Sequence, residues 1–211
     1  MLNGYNMNIA VFASGGGSNF QVLIDKVESG ELQATLCVCI GNNEKALAFE
    51  RARKHGIAVR HIAPSQYATE ESYVNYLLGV LLTYKPDLIV LAGYMKKIPS
   101  AIIAAYPNRI VNIHPGLLPS FGGKGLYGEN VHHAVLDYGA KISGITVHFV
   151  DEDYDHGPII FQASTEVLDT DDAQSLAARV LKLEHATLWK VCRAISLGNI
   201  SVKGRRVYGK V

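Results

Sequence analysis

The sequence feature that most constrains the fold is a series of short apolar runs that alternate with helical patterns. Five such runs fall in the first part of the chain, at residues 8–13, 34–40, 57–62, 87–92 and 109–113. Continuous apolar runs of this length are typical of strands that are buried on both faces. Because strands separated by helices form βαβ units, this part of the chain predicts a parallel sheet.

The second half of the chain departs from this regular alternation. After a short helical pattern near residues 130–136, two strand-like segments at 143–150 and 158–167 are joined by an acidic loop. Asp171 or Asp172 is placed to cap a long helix, and the last residues alternate weakly, as a hairpin does. We therefore predict an α/β fold with a Rossmann-like, open, mostly parallel twisted sheet of about seven strands. Helices cover both faces, the last strands are antiparallel, and a long helix lies near the C-terminus.

The organisation and composition exclude several classes of protein. Residues 1–6 are predicted to form a short N-terminal extension, and residues 7–211 a single domain. The formal net charge is +1 and the three cysteines are an odd count, which argues against a polyanion-binding surface and a disulfide framework. Without a signal-peptide pattern or an apolar run of about 20 residues, the chain is predicted to be cytoplasmic. Its partners are predicted to be small molecules, with no nucleic acid and no membrane, in a monomer or a homodimer.

A glycine-rich turn, Ser14-Gly15-Gly16-Gly17-Ser18-Asn19, follows the first strand. Backbone N–H groups of such a turn converge on an anion at a helix N-terminus, and Ser18 and Asn19 are good capping residues. A dinucleotide site is disfavoured because Phe20 takes the third glycine position and the second strand ends without a carboxylate. The pattern favours a monophosphate site, with a tight turn that binds no ligand as the alternative.

Asn112 and His114 lie at the end of the fifth strand, directly before a Pro-Gly pair that ends it. Residues two apart in a strand share a face, and the carboxyl edge of an α/β sheet is where ligands bind. An imidazole transfers protons near pH 7, and an amide donates a hydrogen bond to an oxyanion. The pair is therefore a candidate catalytic site, with a polar pair that merely ends the strand as the alternative.

The acidic loop, residues 151–157, contains candidate partners for His114. A neighbouring carboxylate would raise the pKa of the imidazole and orient the ring, but the sequence does not select among Asp151, Glu152, Asp153 and Asp155. His148 and His156 are close enough in sequence to suggest a metal site, although no metal-ligand spacing is present, and we predict no metal. The segment from Gly122 to Gly125 is predicted to be a flexible flap beside the site, and the pair His132-His133 to lie on a helix surface.

Together these segments resemble one family. The resemblance rests on Asn8-Ile-Ala-Val-Phe-Ala-Ser-Gly-Gly-Gly-Ser-Asn19, Leu91-Ala-Gly-Tyr-Met-Lys96, Asn112-Ile-His-Pro-Gly-Leu-Leu-Pro119, and Val147-His-Phe-Val150 followed by Asp155-His-Gly-Pro158. In this order they resemble the phosphoribosylglycinamide formyltransferases, the folate-dependent glycinamide ribonucleotide transformylases of purine synthesis. The resemblance extends over nearly the whole chain from Met7.

The resemblance implies a role for each matched residue. His114 would be the general acid and base, Asn112 would stabilise the tetrahedral intermediate, and Asp155 would keep His114 charged. The phosphate of the ribonucleotide would be held by Gly17, Ser18 and Asn19, in the N-terminal half of the chain. Its ribose would be contacted by Glu184. The formyl donor, 10-formyltetrahydrofolate, would be held mainly by the C-terminal half. The implied folate-binding residues are Met95, Lys96, Lys97, Ile98, Asn112, Asp151, Glu152, Asp153, Tyr154 and Asp155.

Several residues depart from the family pattern, and other functions use the same site. Glu70, Lys97 and Leu181 stand where some members have an arginine, an apolar residue and a glutamine, so the contacts to the folate tail and the outer ribonucleotide are open. A formyltetrahydrofolate hydrolase, a sugar-amine formyltransferase and a phosphate-binding module without activity are the alternatives.

Overall fold

The computed structural model describes residues 6–211, which form two compact units that divide between Val111 and Asn112. Residues 1–5 of the predicted N-terminal extension lie outside the described residues. The strand that contains Asn112 and His114 begins in the first unit and ends in the second. The two units are described in turn.

The first unit consists of strands that alternate with helices, as the apolar runs predict. In chain order its elements are β1 (Met7–Phe12), α1 (Ser18–Glu28), β2 (Ala34–Gly41), α2 (Leu47–Lys54), β3 (Ala58–His61), α3 (Glu70–Tyr84), β4 (Leu88–Leu91) and α4 (Ser100–Ala105), followed by β5 (Ile110–His114). A short 3-10 helix, Pro64–Gln66, precedes α3. Strand β1 pairs in parallel with both β2 and β4, and β2 pairs in parallel with β3.

The second unit contains the antiparallel strands and the long helix. Its elements are α5 (Glu129–Tyr138), β6 (Ile142–Phe149), β7 (Ile159–Glu166), α6 (Ala173–Ser196) and a hairpin of β8 (Ile200–Lys203) and β9 (Arg206–Gly209). Strands β6 and β7 are antiparallel, and Asp172 caps α6 by accepting a hydrogen bond from the Ser175 N–H at 2.7 Å. The seven-stranded sheet has the order β3-β2-β1-β4-β5-β6-β7. These observations confirm the predicted fold class, and no helix within residues 6–211 is long and apolar enough to cross a membrane.

Three local predictions were wrong. The leucines of α3 predict that Leu82 lies on the buried side together with Leu77 and Leu81, but Leu82 is 68% exposed, because the buried stripe of this helix passes through Tyr73, Leu77 and Leu81. His132 was expected on a helix surface and is buried, although its neighbour His133 is exposed. Helix α1 has Gly17 as its N-cap, so Ser18 and Asn19 are its first residues and do not cap it.

A buried hydroxyl fixes the turn that follows β5. Thr146, on β6, donates a hydrogen bond to the Gly116 carbonyl at 2.7 Å and accepts one from the Leu118 N–H at 3.0 Å. Gln162 on β7 donates to both the Thr146 hydroxyl and the Leu118 carbonyl. Thr146 is completely buried, so water does not reach its hydroxyl to take part in these hydrogen bonds. The second unit therefore holds residues 116–118 in one conformation.

We expect Thr146→Val to lower the free energy of unfolding by about 2–3 kcal/mol, because a methyl group leaves the Gly116 carbonyl and the Leu118 N–H without a partner. Urea unfolding measures the change. Thr165→Val, on the neighbouring strand β7 and only half-buried, is the matched control and should cost much less. Equal losses for the two variants would contradict the role of the buried hydroxyl.

Candidate active site

Strand β5 places Asn112 and His114 two residues apart, next to the turn fixed by Thr146. His114 is buried, with 3% of its surface exposed, and Asn112 is half-buried. The acidic loop brings Asp155 to both of them, with Oδ2 at 3.6 Å from His114 Nδ1 and Oδ1 at 3.5 Å from Asn112 Nδ2. The structure thus brings together the three residues expected to carry the chemistry.

The flap fixes the tautomer of His114. His114 Nε2 lies 2.8 Å from the carbonyl oxygen of Phe121, and a carbonyl can only accept a hydrogen bond. Nε2 therefore carries a hydrogen and donates it to Phe121. The remaining nitrogen, Nδ1, is the one that faces Asp155, so it is the nitrogen at which the ring is able to gain or lose a proton.

Two opposing effects determine the pKa of His114. Burial lowers the pKa below its usual value, and the charge of Asp155 together with the hydrogen bond to Phe121 raises it. Burial is the larger effect, so the net shift is downward. The Asp155 carboxylate raises the pKa of His114, as the sequence predicts, but the low polarity around the ring lowers this pKa by more. A neutral imidazole near pH 7 is able to accept a proton at Nδ1.

Asp155 is held as an anion by several donors. Burial raises the pKa of its carboxyl group, but the imidazole of His148 at 3.7 Å, the charge of His114 and the Gly123 N–H outweigh burial and lower the pKa below its usual value. The Gly123 N–H donates to Asp155 Oδ2 at 3.0 Å. Asp155 also has a φ angle of +53°, a left-handed conformation that is uncommon for residues other than glycine, although aspartate tolerates it better than most.

His148 orients the amide of Asn112, a role that the sequence did not reveal. His148 Nδ1 donates to the Phe149 carbonyl at 2.8 Å, so Nε2 is the acceptor and receives a hydrogen bond from Asn112 Nδ2 at 3.1 Å. The second amide hydrogen of Asn112 has only a long contact of 3.5 Å to Asp155. Asn112 is therefore able to donate that hydrogen to another acceptor, such as an oxyanion. The sequence signal is a histidine within the apolar run of β6, where its pattern suggests a metal ligand and no amide-orienting role.

The flap is tightly packed where it meets this cluster. A side chain at Gly122 would collide with Leu118 and lie 3.2 Å from Asp155 Cβ. Phe121 has a φ angle of +53°, and its ring packs edge-on against Tyr138, with 5.8 Å between the ring centroids. The predicted flap is therefore in contact with the catalytic residues through two backbone groups, the Phe121 carbonyl and the Gly123 N–H.

The glycine-rich turn, in the first unit, is held by α2. The Ala48 N–H donates to the Gly15 carbonyl at 3.1 Å, and Arg51 Nε donates to the Gly16 carbonyl at 2.9 Å. Because α1 begins at Ser18, the N–H groups of its first turn have no acceptor within the helix and are available to an anion. Arg51, which the sequence analysis did not single out, adds a positive charge beside the turn.

We expect Gly17→Ala to destabilise the protein by roughly 2 kcal/mol or more, because Gly17 has a φ angle of +68° and an added Cβ would lie 2.8 Å from Ala48 Cβ. Thermal unfolding measures the loss. Gly30→Ala is the matched control, since Gly30 has a φ angle of +76° and no atom within 4 Å of an added Cβ. If the two variants lose the same stability, contact with Ala48 does not constrain the turn.

Glu184, the predicted ribose contact, lies in the second unit and lines a pocket of about 390 Å³. His132, Leu181 and Pro115, the residue directly after His114, also line this pocket. Nδ1 of His132 is buried without a hydrogen-bond partner, and burial lowers the pKa of this histidine. A pocket of this size next to His114 can hold part of a small substrate.

The predicted folate residues fall in both units. In the first unit Met95, Lys96 and Lys97 are exposed, whereas Ile98 is buried and 3% exposed, so its side chain belongs to the core. In the second unit Glu152, Asp153 and Tyr154 are exposed on the acidic loop, and Asp151 pairs with His156 at 2.8 Å. No group of three or more His, Cys, Asp or Glu side chains in residues 6–211 is arranged to hold a metal ion.

An α/β sheet that gathers an amide, an imidazole and a carboxylate at one strand end is the arrangement of a group-transfer enzyme that uses acid–base chemistry. Residues 7–192 match the formyl transferase domain family. The chain belongs to that family.

Named relatives and solved structures agree with this assignment. The chain is 43% identical to a chloroplastic phosphoribosylglycinamide formyltransferase of Arabidopsis thaliana over 89% of its own length, and it spans 64% of the length of that relative. It is 37% identical to the Escherichia coli phosphoribosylglycinamide formyltransferase, over 85% of this chain and 82% of that protein. The structure of glycinamide ribonucleotide transformylase 1 from Symbiobacterium toebii superimposes with a TM-score of 0.92 at 36% identity, over 99% of this chain and 96% of that one.

Proposed function

We propose that this protein transfers the formyl group of 10-formyltetrahydrofolate to the amine of glycinamide ribonucleotide, a step of purine biosynthesis. The observation that carries the proposal is the cluster of Asn112, His114 and Asp155 in a chain of the formyl transferase family. This set supplies an oxyanion donor, a proton acceptor and an anion that stabilises the protonated imidazole, which are the groups that acyl-type transfer needs.

The chemistry assigns each residue a step. As the acceptor amine attacks the formyl carbon, Asn112 donates its second amide hydrogen to the oxygen that becomes negative. His114 takes a proton from the attacking nitrogen at Nδ1, and Asp155 stabilises the imidazolium that results. His114 then returns the proton to the folate nitrogen as the bond between that nitrogen and the formyl carbon breaks. Protons and charge are balanced over the cycle, and the protein returns to its starting state.

The substrates are assigned to the residues by their chemistry. Gly17, Ser18 and Asn19 bind the phosphate at the N-terminus of α1, and Glu184 accepts hydrogen bonds from the ribose hydroxyls in its pocket. Met95, Lys96, Lys97 and the acidic loop contact the folate, and Ile98 contributes through its backbone. As part of the proposal, the protein acts in the cytoplasm on small molecules, as a monomer or a homodimer and without a metal.

The proposal is tested by mixing the protein with 10-formyltetrahydrofolate in the presence and absence of glycinamide ribonucleotide. We expect release of tetrahydrofolate and formylation of the ribonucleotide only when both substrates are present. An equal rate of folate release with water as the only acceptor would overturn the proposal in favour of a hydrolase. Formylation of an amino sugar in place of the ribonucleotide would overturn the acceptor assignment.

A further inference from the structure

The C-terminal hairpin touches the loop that carries Asp155. Strands β8 and β9 are joined at Gly204 and Arg205, and β9 lies beside β7, the strand that follows the acidic loop. Nη2 of Arg205 donates a hydrogen bond to the backbone carbonyl of His156 at 2.5 Å. The family match ends at residue 192, so it assigns no role to this hairpin.

A second set of contacts involves the side chain of His156. The imidazole of His156 pairs with Asp151 at 2.8 Å, and Arg205 Nη1 lies 3.3 Å from each ring nitrogen of His156. The other oxygen of Asp151 accepts a hydrogen bond from the Asp153 N–H at 3.1 Å. His156 is therefore held at two points. Asp151, at the start of the loop, pairs with its ring, and Arg205 of the hairpin bonds its carbonyl.

The residue next to His156 needs such support. Asp155 has a φ angle of +53°, an uncommon left-handed conformation, and contacts with the adjacent backbone help to hold a residue in it. On the far side, Gly157 has no room for a side chain because a Cβ would collide with the Phe149 carbonyl. The peptide between His156 and Gly157, one residue from Asp155, is thus held by Arg205 at the His156 carbonyl and by close packing at Gly157.

We propose that Arg205 is a positioning residue that holds the left-handed backbone of Asp155 through the His156 carbonyl, and thereby aims the Asp155 carboxylate at His114, Asn112 and the Gly123 N–H. The inference rests on the function proposed above. Arg205 does not touch these groups itself. Its effect passes along one residue of backbone, from His156 to Asp155.

Kinetics of variants separate this role from a structural one. We expect Arg205→Ala to lower kcat about tenfold, the loss that follows from one charge-assisted hydrogen bond, with little change in the KM for the ribonucleotide. Arg205→Lys keeps a donor and should recover part of the loss. Arg206→Ala removes an exposed arginine one residue away and is the control, with an unchanged kcat.

A double-mutant cycle tests whether Arg205 acts through Asp155. In an Asp155→Asn background, Arg205→Ala should cause no further loss of kcat, because the carboxylate that it aims is already absent. If the two losses multiply, or if Arg205→Ala and Arg206→Ala behave alike, the proposal is overturned.

Amide hydrogen exchange tests the positioning role without any substrate. The Gly123 N–H is bonded to the Asp155 carboxylate, so its exchange should become faster in Arg205→Ala and remain unchanged in Arg206→Ala. If the wild-type protein transfers no formyl group but Gly123 responds in this way, the proposed function fails and the positioning role stands. If formyl transfer occurs and Gly123 exchange is unaffected by Arg205→Ala, the positioning role is overturned.

Discussion

Replacing His114 with alanine is expected to reduce kcat by about 100- to 10,000-fold, the usual contribution of a positioned acid–base group. The structure gives a specific reason for a loss in this range. Nε2 is occupied by the Phe121 carbonyl and Nδ1 faces Asp155, so the ring contacts both the segment before the flap and the acidic loop. In the proposed mechanism it is the group that moves the proton. Steady-state formyl transfer measures the loss.

The control for this substitution is His133→Ala. His133 is exposed on α5, and its replacement should leave kcat unchanged. Circular dichroism and thermal unfolding of both variants show whether each remains folded. A folded His114→Ala protein with nearly normal turnover would contradict the assignment of His114 as the catalytic acid and base.

The second large effect is expected for Asp155→Asn, which should lower kcat about 100-fold and shift the pH dependence of the rate. His114 acts as a base when it is neutral, so the rate falls as the pH drops below the pKa of His114. The charge of Asp155 raises that pKa, while burial lowers it. Without the charge of Asp155, less counteracts the lowering of the pKa by burial. The pKa of His114 therefore falls further, and the acidic limb of the profile moves to lower pH.

Asp169→Asn is the control for Asp155→Asn, because Asp169 forms an ion pair with Lys141 at 2.9 Å on the surface, where its side chain is 90% exposed. Its pH profile should match that of the wild-type protein. An acidic limb that stays in place in Asp155→Asn, or moves to higher pH, would show that another group sets the pKa of His114. Direct titration of His114 by NMR gives an independent measure.

Local sequence patterns were sufficient to predict most of the fold, because each strand and helix carries its own periodicity. The apolar runs located β1 to β5, and the acidic pair Asp171 and Asp172 predicted the start of α6, where the structure has Asp172 as the cap. Errors arose where packing with other elements decided the outcome. His132 and Leu82 lie on helices whose buried faces depend on the neighbouring elements, so local periodicity assigned them to the wrong environment.

The sequence by itself determined the residues of the catalytic strand end, because the spacing of Asn112 and His114 in a strand and the Pro-Gly that follows require no knowledge of distant residues. Only the tertiary structure decided which other groups meet them. The Phe121 carbonyl, the amide-orienting His148 and the Arg205 contact come from loops and strands distant in sequence, and no periodic pattern encodes such contacts. The net pKa of His114 also depends on how completely the ring is buried, which is a property of packing and is absent from the order of the residues.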